Sequence, residues 1–147
     1  MIGKSVRVRL LLILLLGLSL VACSQQNGAQ APTPEVVLQA IPAADSAKIE
    51  RIHDMKSWRN PYLIVRPDGV ALLDVADSAE IRLKLSELLP ALAALPAANW
   101  PYGRVVAATE NSAKASEQDG VAIRRNKGIV GGILHGAHIA VKWVPST

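Results

Sequence analysis

An aliphatic run close to the N-terminus decides which part of this chain is available to fold. Leu10 to Val21 reads LLLILLLGLSLV and carries no charge, and the residues before it, MIGKSVRVR, supply Lys4, Arg7 and Arg9 and no acid. A positive segment followed by a short apolar one is the pattern of a secretory signal. The run is too short for a comfortable bilayer crossing, which takes roughly 20 apolar residues. Residues 1–22 are therefore expected to be removed, and the folded part lies beyond them.

The run closes on Leu20-Val21-Ala22-Cys23, which resembles the lipobox of signal peptidase II substrates. The resemblance implies that Leu20 fills an apolar subsite, that Val21 takes the position of a small or aliphatic residue, that small Ala22 lets the scissile bond enter the peptidase, and that the Cys23 thiol accepts a diacylglyceryl group. Two or three acyl chains anchor stably, because each buried methylene contributes about 0.8 kcal/mol. Ser24 stands where an aspartate would, in such lipoproteins, favour inner-membrane retention. The expected address is thus the bacterial envelope, with the chain anchored at the outer membrane and facing the periplasm.

Trimming changes the charge balance. The full chain has 16 Lys and Arg against 12 Asp and Glu. Three of the bases and none of the acids lie in residues 1–22, so 13 bases face 12 acids afterwards. A net charge of +1 gives no footprint for a nucleic acid. Cys23 is the single cysteine, so no internal disulfide can form. With no phenylalanine, the core must be built from Leu, Ile, Val and Ala around Trp58, Tyr62, Trp100, Tyr102 and Trp143.

Residues 23–44, rich in Gln, Ala, Pro and Gly, read as the lipidated cysteine and a flexible linker; Val36-Val37-Leu38 is the one stretch in it able to dock. Residues 45–147 read as one small domain. Asp45 or Ser46 caps a helix expected to reach about Lys56, with Ile49, Ile52 and Met55 on one face. Two aliphatic runs, Tyr62 to Arg66 and Val70 to Asp74, flank Pro67-Asp68-Gly69 and predict a hairpin. Ile81 to Leu85 alternates as a short strand would, but also fits the start of a helix. Ser86 is a candidate cap for a helix to Leu95, with Pro90 in its first turn. Strands are expected at 104–110 and 139–144. Between them, residues 120–136 favour a helix over a hairpin, with Ile129, Val130, Ile133 and Leu134 on its apolar face and Gly128, Gly132 and Gly136 making a smooth stripe for close packing.

The expected fold is a small α+β two-layer sandwich in the order α-β-β-α-β-α-β. From Tyr62 to Ser146 it resembles the periplasmic domains of ExbD and TolR. The matching residues are the hairpin 63–73 with its Asp68-Gly69, a helix carrying Leu88, Leu92 and Leu95, the strand at Val105-Val106, and Gly136 ahead of the last strand. That family's proton-carrying aspartate sits in a retained membrane helix. The run here has no acid and is expected to be cleaved, so the resemblance implies at most an ancillary subunit beside such a system, not a motor.

Sites for chemistry are sparse. His135 and His138 have a spacing metal ligands use, but no third ligand is near in sequence, so no metal and no cofactor is expected. His53 beside Asp54 reads as solvated. A hydrolase or metal-dependent enzyme would have to be built from His53, His135, His138 and Glu110. Arg124, Arg125 and Lys127 form the densest basic patch and lack the pattern of a nucleotide loop. Trp58 and Tyr62 in SWRNPY, and Trp100 and Tyr102 in NWPYG, both lead into a strand; if those strands are parallel neighbours, the two segments cluster at one sheet end. They are then either an aromatic patch for a partner or a plug for the core. The expected function is a non-enzymatic envelope lipoprotein binding another envelope protein or peptidoglycan.

Overall fold

The computed structural model describes residues 30–74 and 78–146. Leu20, Val21, Ala22 and Cys23 lie outside the described residues. What is described from Pro32 onward forms one unit, a mixed five-stranded sheet with helices packed on it.

The chain enters through a short helix, α1 (Pro34–Gln39), and a second, α2 (Ser46–Glu50). A 3-10 turn at Met55–Ser57 precedes β1 (Tyr62–Arg66), which folds back through Pro67 and Asp68 into β2 (Gly69–Leu73). Then come β3 (Glu80–Leu83), a 3-10 turn leading directly into α3 (Leu88–Ala93), β4 (Val105–Glu110), the long α4 (Glu117–Gly136) and β5 (Ala140–Trp143). The sheet order is β3-β2-β1-β4-β5. β1 pairs antiparallel with β2, and β2 with β3, while β1–β4 and β4–β5 are parallel. Parallel neighbours need a long connection; α4 supplies it between β4 and β5.

Alternation along the strands sorts the core. Leu63 and Val65, Val70 and Leu72, and Val106 and Ala108 face the helices, where they pack with Leu38, Leu88, Leu92, Ile123, Val130 and Leu134. The opposite face carries a smaller cluster, in which Trp58, Val105 and Ala107 meet Ile49, Ile52 and Met55. On that same face Arg66 pairs with Glu80 across β2.

The α+β class is as expected, but three details of the organisation differ. The domain starts at α1 and not at residue 45. Thr33-Pro34-Glu35 opens that helix with proline in its first position and an acid in its first turn, and Leu38, fully buried, anchors it in the core. The segment after it is held as well: Arg104 donates to the Pro42 carbonyl at 2.8 Å and Asp45 to the Tyr102 carbonyl at 2.9 Å. Residues 34–44, expected in the linker, therefore belong to the domain.

Second, the helix expected to reach Lys56 ends at Glu50. Asp45 caps it as expected, accepting from the Lys48 amide at 3.2 Å. Asp54 then caps the separate 3-10 turn, accepting from the Lys56 amide at 2.9 Å. Ile49, Ile52 and Met55 still share one surface, because burial against Trp58 fixes their direction without continuous helix. Third, Ile81 to Leu83 belongs to an added edge strand, and the element order gains both it and α1. Ser86 lies inside the 3-10 turn rather than at a cap, and Glu87 accepts from the Lys84 amide at 2.8 Å instead.

Residues 120–136 are helical, within a helix that begins at Glu117 because Ser116 caps it through the Asp119 amide at 3.1 Å. Its buried stripe is Ile123, Asn126, Val130 and Leu134. Ile129 points outward at 42 % exposure. The glycines do not pack: a methyl group added at Gly128, Gly132 or Gly136 would meet nothing within 4 Å. The smooth stripe lies on the solvent side of α4.

Candidate functional site

β1 and β4 are parallel neighbours, with Tyr62 opposite Ala107, so the two Trp-containing segments meet at the start of both strands. What joins them is Asn60, a residue with no accessible surface. Its side-chain Nδ2 donates to the Gly103 and Val105 carbonyls, both at 2.7 Å, and its Oδ1 accepts from the Tyr102 amide at 2.9 Å. A single side chain thus satisfies three backbone groups of the other segment. Tyr102 reaches back, donating its hydroxyl to the Ser57 carbonyl at 3.0 Å, and its ring stands 5.3 Å from that of Trp58 at 48°. Gly103 completes the turn at φ +77°, where a Cβ would collide with the Ala43 carbonyl.

The two tryptophans part company at this junction. Trp58 goes to the smaller cluster, 3 % exposed, and donates its indole N–H to the Pro61 carbonyl at 3.2 Å. Trp100 goes to the helical side, 4 % exposed, and its indole N–H has no partner among the described residues. Tyr62 and Tyr102 are half-buried against Trp58. Of the two readings of these segments, the geometry is that of a plug: both indoles are interior, and the polar bonds are internal.

Arg124, Arg125 and Lys127 lie on α4 near the other end of β1, since Asn126 between them donates to the Arg66 and Pro67 carbonyls at 2.8 and 3.0 Å. They share no surface with the Trp segments. Lys127 pairs with Glu110 and sits 4.7 Å above the Trp143 ring. Arg124 and Arg125 are exposed.

The four residues of the enzymatic alternative do not converge. Glu110 ends β4, while His135 and His138 flank the entry to β5, beside Val105 at the start of β4. Five strand residues separate those ends, roughly 17 Å at 3.3 Å per residue. His53 follows Ile52, which packs on the sheet face away from α4. His138 itself occupies a left-handed turn at φ +57°, just past the end of α4. Among the described residues, no three of His, Cys, Asp and Glu are grouped so as to hold a metal ion.

Sequence reasoning overlooked Asn60 and Asn126. An asparagine before a proline is held in extended backbone, which aims the Asn60 amide across the neighbouring parallel strand. That was the available signal for the first; a lone polar residue in the apolar stripe of α4 was the signal for the second.

No family model, no curated protein and no solved structure matches the chain.

Proposed function

We propose that this chain is a lipid-anchored envelope protein whose small domain binds another envelope component, protein or peptidoglycan, without catalysing a reaction. The observation that carries the reading is the sequence Leu20-Val21-Ala22-Cys23 at the end of the apolar run, with Cys23 the single cysteine of the chain. Ten residues separate it from the first helix of the domain, which starts at Pro34. Ten residues span at most about 35 Å when fully extended, so a lipid on Cys23 would hold the domain close to the membrane surface.

The layout of polar groups supports binding rather than chemistry. The buried amides of Asn60 and Asn126 are consumed by backbone groups. The His and Glu residues suited to proton transfer are dispersed. The outer side of α4 presents Arg124 and Arg125 to solvent together with Val121 and Ile129. No helix among the described residues is long and apolar enough to cross a membrane.

Metabolic labelling with a palmitate analogue tests the anchor. The wild-type chain is expected to take up label and to fractionate with the outer membrane, and Cys23→Ser to lose both. A Cys23→Ser chain that still labels would overturn the reading.

A further inference from the structure

Two stretches of the domain contain no acid and no base: Val36 to Ala44 and Leu88 to Gly103. The fold brings them together. α1 packs on α3, and between them runs an apolar groove lined by Val37, Ala40, Ile41, Leu95, Ala97 and Trp100. Of its lining, Val37 (36 % accessible), Ala40, Pro42 and Ala97 are exposed, beside Val36 at 59 %, and Pro90, Ala94, Pro96 and Ala98 of the second stretch are exposed as well. On a chain with 12 acids and 13 bases beyond residue 22, an apolar groove whose lining carries no charge is a candidate interaction site. Glu35 and Asp45 bound the first stretch in sequence, and Glu87 and Arg104 the second.

We propose that this α1–α3 face lies on the lipid surface of the membrane to which the chain is anchored, so that the domain sits on the bilayer in one fixed orientation. The proposal rests on lipidation of Cys23. Two observations select lipid as the occupant. The face lies on α1, the first helix of the described residues after Cys23, and ten residues separate Cys23 from Pro34, so a lipid on Cys23 would bring this part of the domain to the membrane first. The face also lacks the exposed Trp, Tyr and Arg in which the binding energy of protein interfaces concentrates. Here Trp100 is buried, and what is exposed is Val, Ala and Pro. Seating such a surface among headgroups requires no charge to be desolvated. The opposite end of the sheet, with Arg124, Arg125, Val121 and Ile129, would then face away from the bilayer, toward the envelope partner.

Because Cys23 is the single cysteine, a second one introduced into the full chain is the only free thiol once Cys23 is acylated. Val37→Cys, Ala94→Cys and, as control, Val121→Cys on α4 would each carry a bimane fluorophore. Each purified lipoprotein is reconstituted into vesicles doped with lipid bearing a spin-label quencher near its carbonyls, and acylation is checked by mass. Bimane at Val37 and Ala94 is expected to be quenched several-fold more than at Val121. Equal quenching at all three positions in an acylated protein overturns the orientation and leaves the anchor intact. Absence of acyl mass on Cys23 overturns the anchor and the orientation with it. Protection of Val37 from both the lipid quencher and aqueous iodide, relieved by diluting the protein in lipid, would seat a second copy on the face and equally overturn the proposal.

Discussion

The two buried asparagines occupy opposite ends of the sheet and do the same kind of work in different surroundings. Asn60 bridges the starts of β1 and β4, and its bonds to Gly103 and Val105 are wholly buried. Asn126 ties α4 to the turn between β1 and β2, through bonds that are only partly buried. The number of groups satisfied also differs, three against two. The contrast shows that the worth of a buried amide depends on what replaces it when it is removed. At Asn60 the two carbonyls are buried away from water, and Gly103 alone keeps a second donor, the Val105 amide. At Asn126 water can approach the hairpin turn and bond the Arg66 and Pro67 carbonyls itself.

The largest effect should follow from Asn60→Ala. It takes the side-chain donor from the buried Gly103 and Val105 carbonyls, of which Gly103 keeps the Val105 amide at 2.8 Å, and the acceptor from the part-buried Tyr102 amide; an unpaired buried polar group costs about 1–3 kcal/mol. The expected loss is about 2 kcal/mol, a sizeable share of the 5–15 kcal/mol that typically holds a domain together. Urea unfolding followed by tryptophan fluorescence measures it, with Trp58 and Trp100 as reporters beside the site. A loss below about 1 kcal/mol would mean that water enters this junction.

Asn126→Ala sharpens the contrast. Two carbonyls lose their donor but regain solvent, and alanine is better than asparagine inside a helix by several tenths of a kcal/mol. The net cost should be about 1 kcal/mol, with exchange protection lost first at the β1–β2 turn. Equality with Asn60→Ala in the same urea titration would remove the argument from water access.

The sequence disclosed what local chemistry controls. The hairpin followed from aliphatic runs around Pro67-Asp68-Gly69, the position of Pro90 from its missing N–H, and the meeting of the two Trp segments from the supposition that β1 and β4 lie parallel. It was silent where distant packing decides. Leu38 and Ile41 stand three apart behind Thr33-Pro34-Glu35, a readable helix start, yet only the groove against α3 makes α1 part of the domain. The strand 80–83 was ambiguous because alternation over four residues also fits a helical turn, and pairing with β2 settled it. Of the residues considered for function, His53, His135, His138 and Glu110 fit one site only as a list; the length of β4 separates Glu110 from the two histidines at the entry to β5, and His53 follows Ile52 on the other face of the sheet. Ile129 was assigned to the wrong side of α4, because Ile129 and Val130 are adjacent, and a helical stripe cannot bury both when Ile123, Asn126 and Leu134 already fix its direction.

The smallest effect tests the bare side of the helix whose inner side Asn126 holds. Gly132 sits mid-helix with nothing within 4 Å of an added Cβ. Glycine in a helix interior costs roughly 0.5–1 kcal/mol relative to alanine, through the backbone freedom it surrenders on folding. Gly132→Ala should therefore stabilise the isolated domain by about 0.5 kcal/mol or slightly more, seen as a higher urea midpoint at unchanged slope. The gain should add to the Asn126→Ala loss in the double variant if the two sides of α4 act independently. Destabilisation by so small a change would mean that the glycine stripe is already covered in solution by another molecule, and that the outer side of α4, not only the α1–α3 face, is an occupied surface.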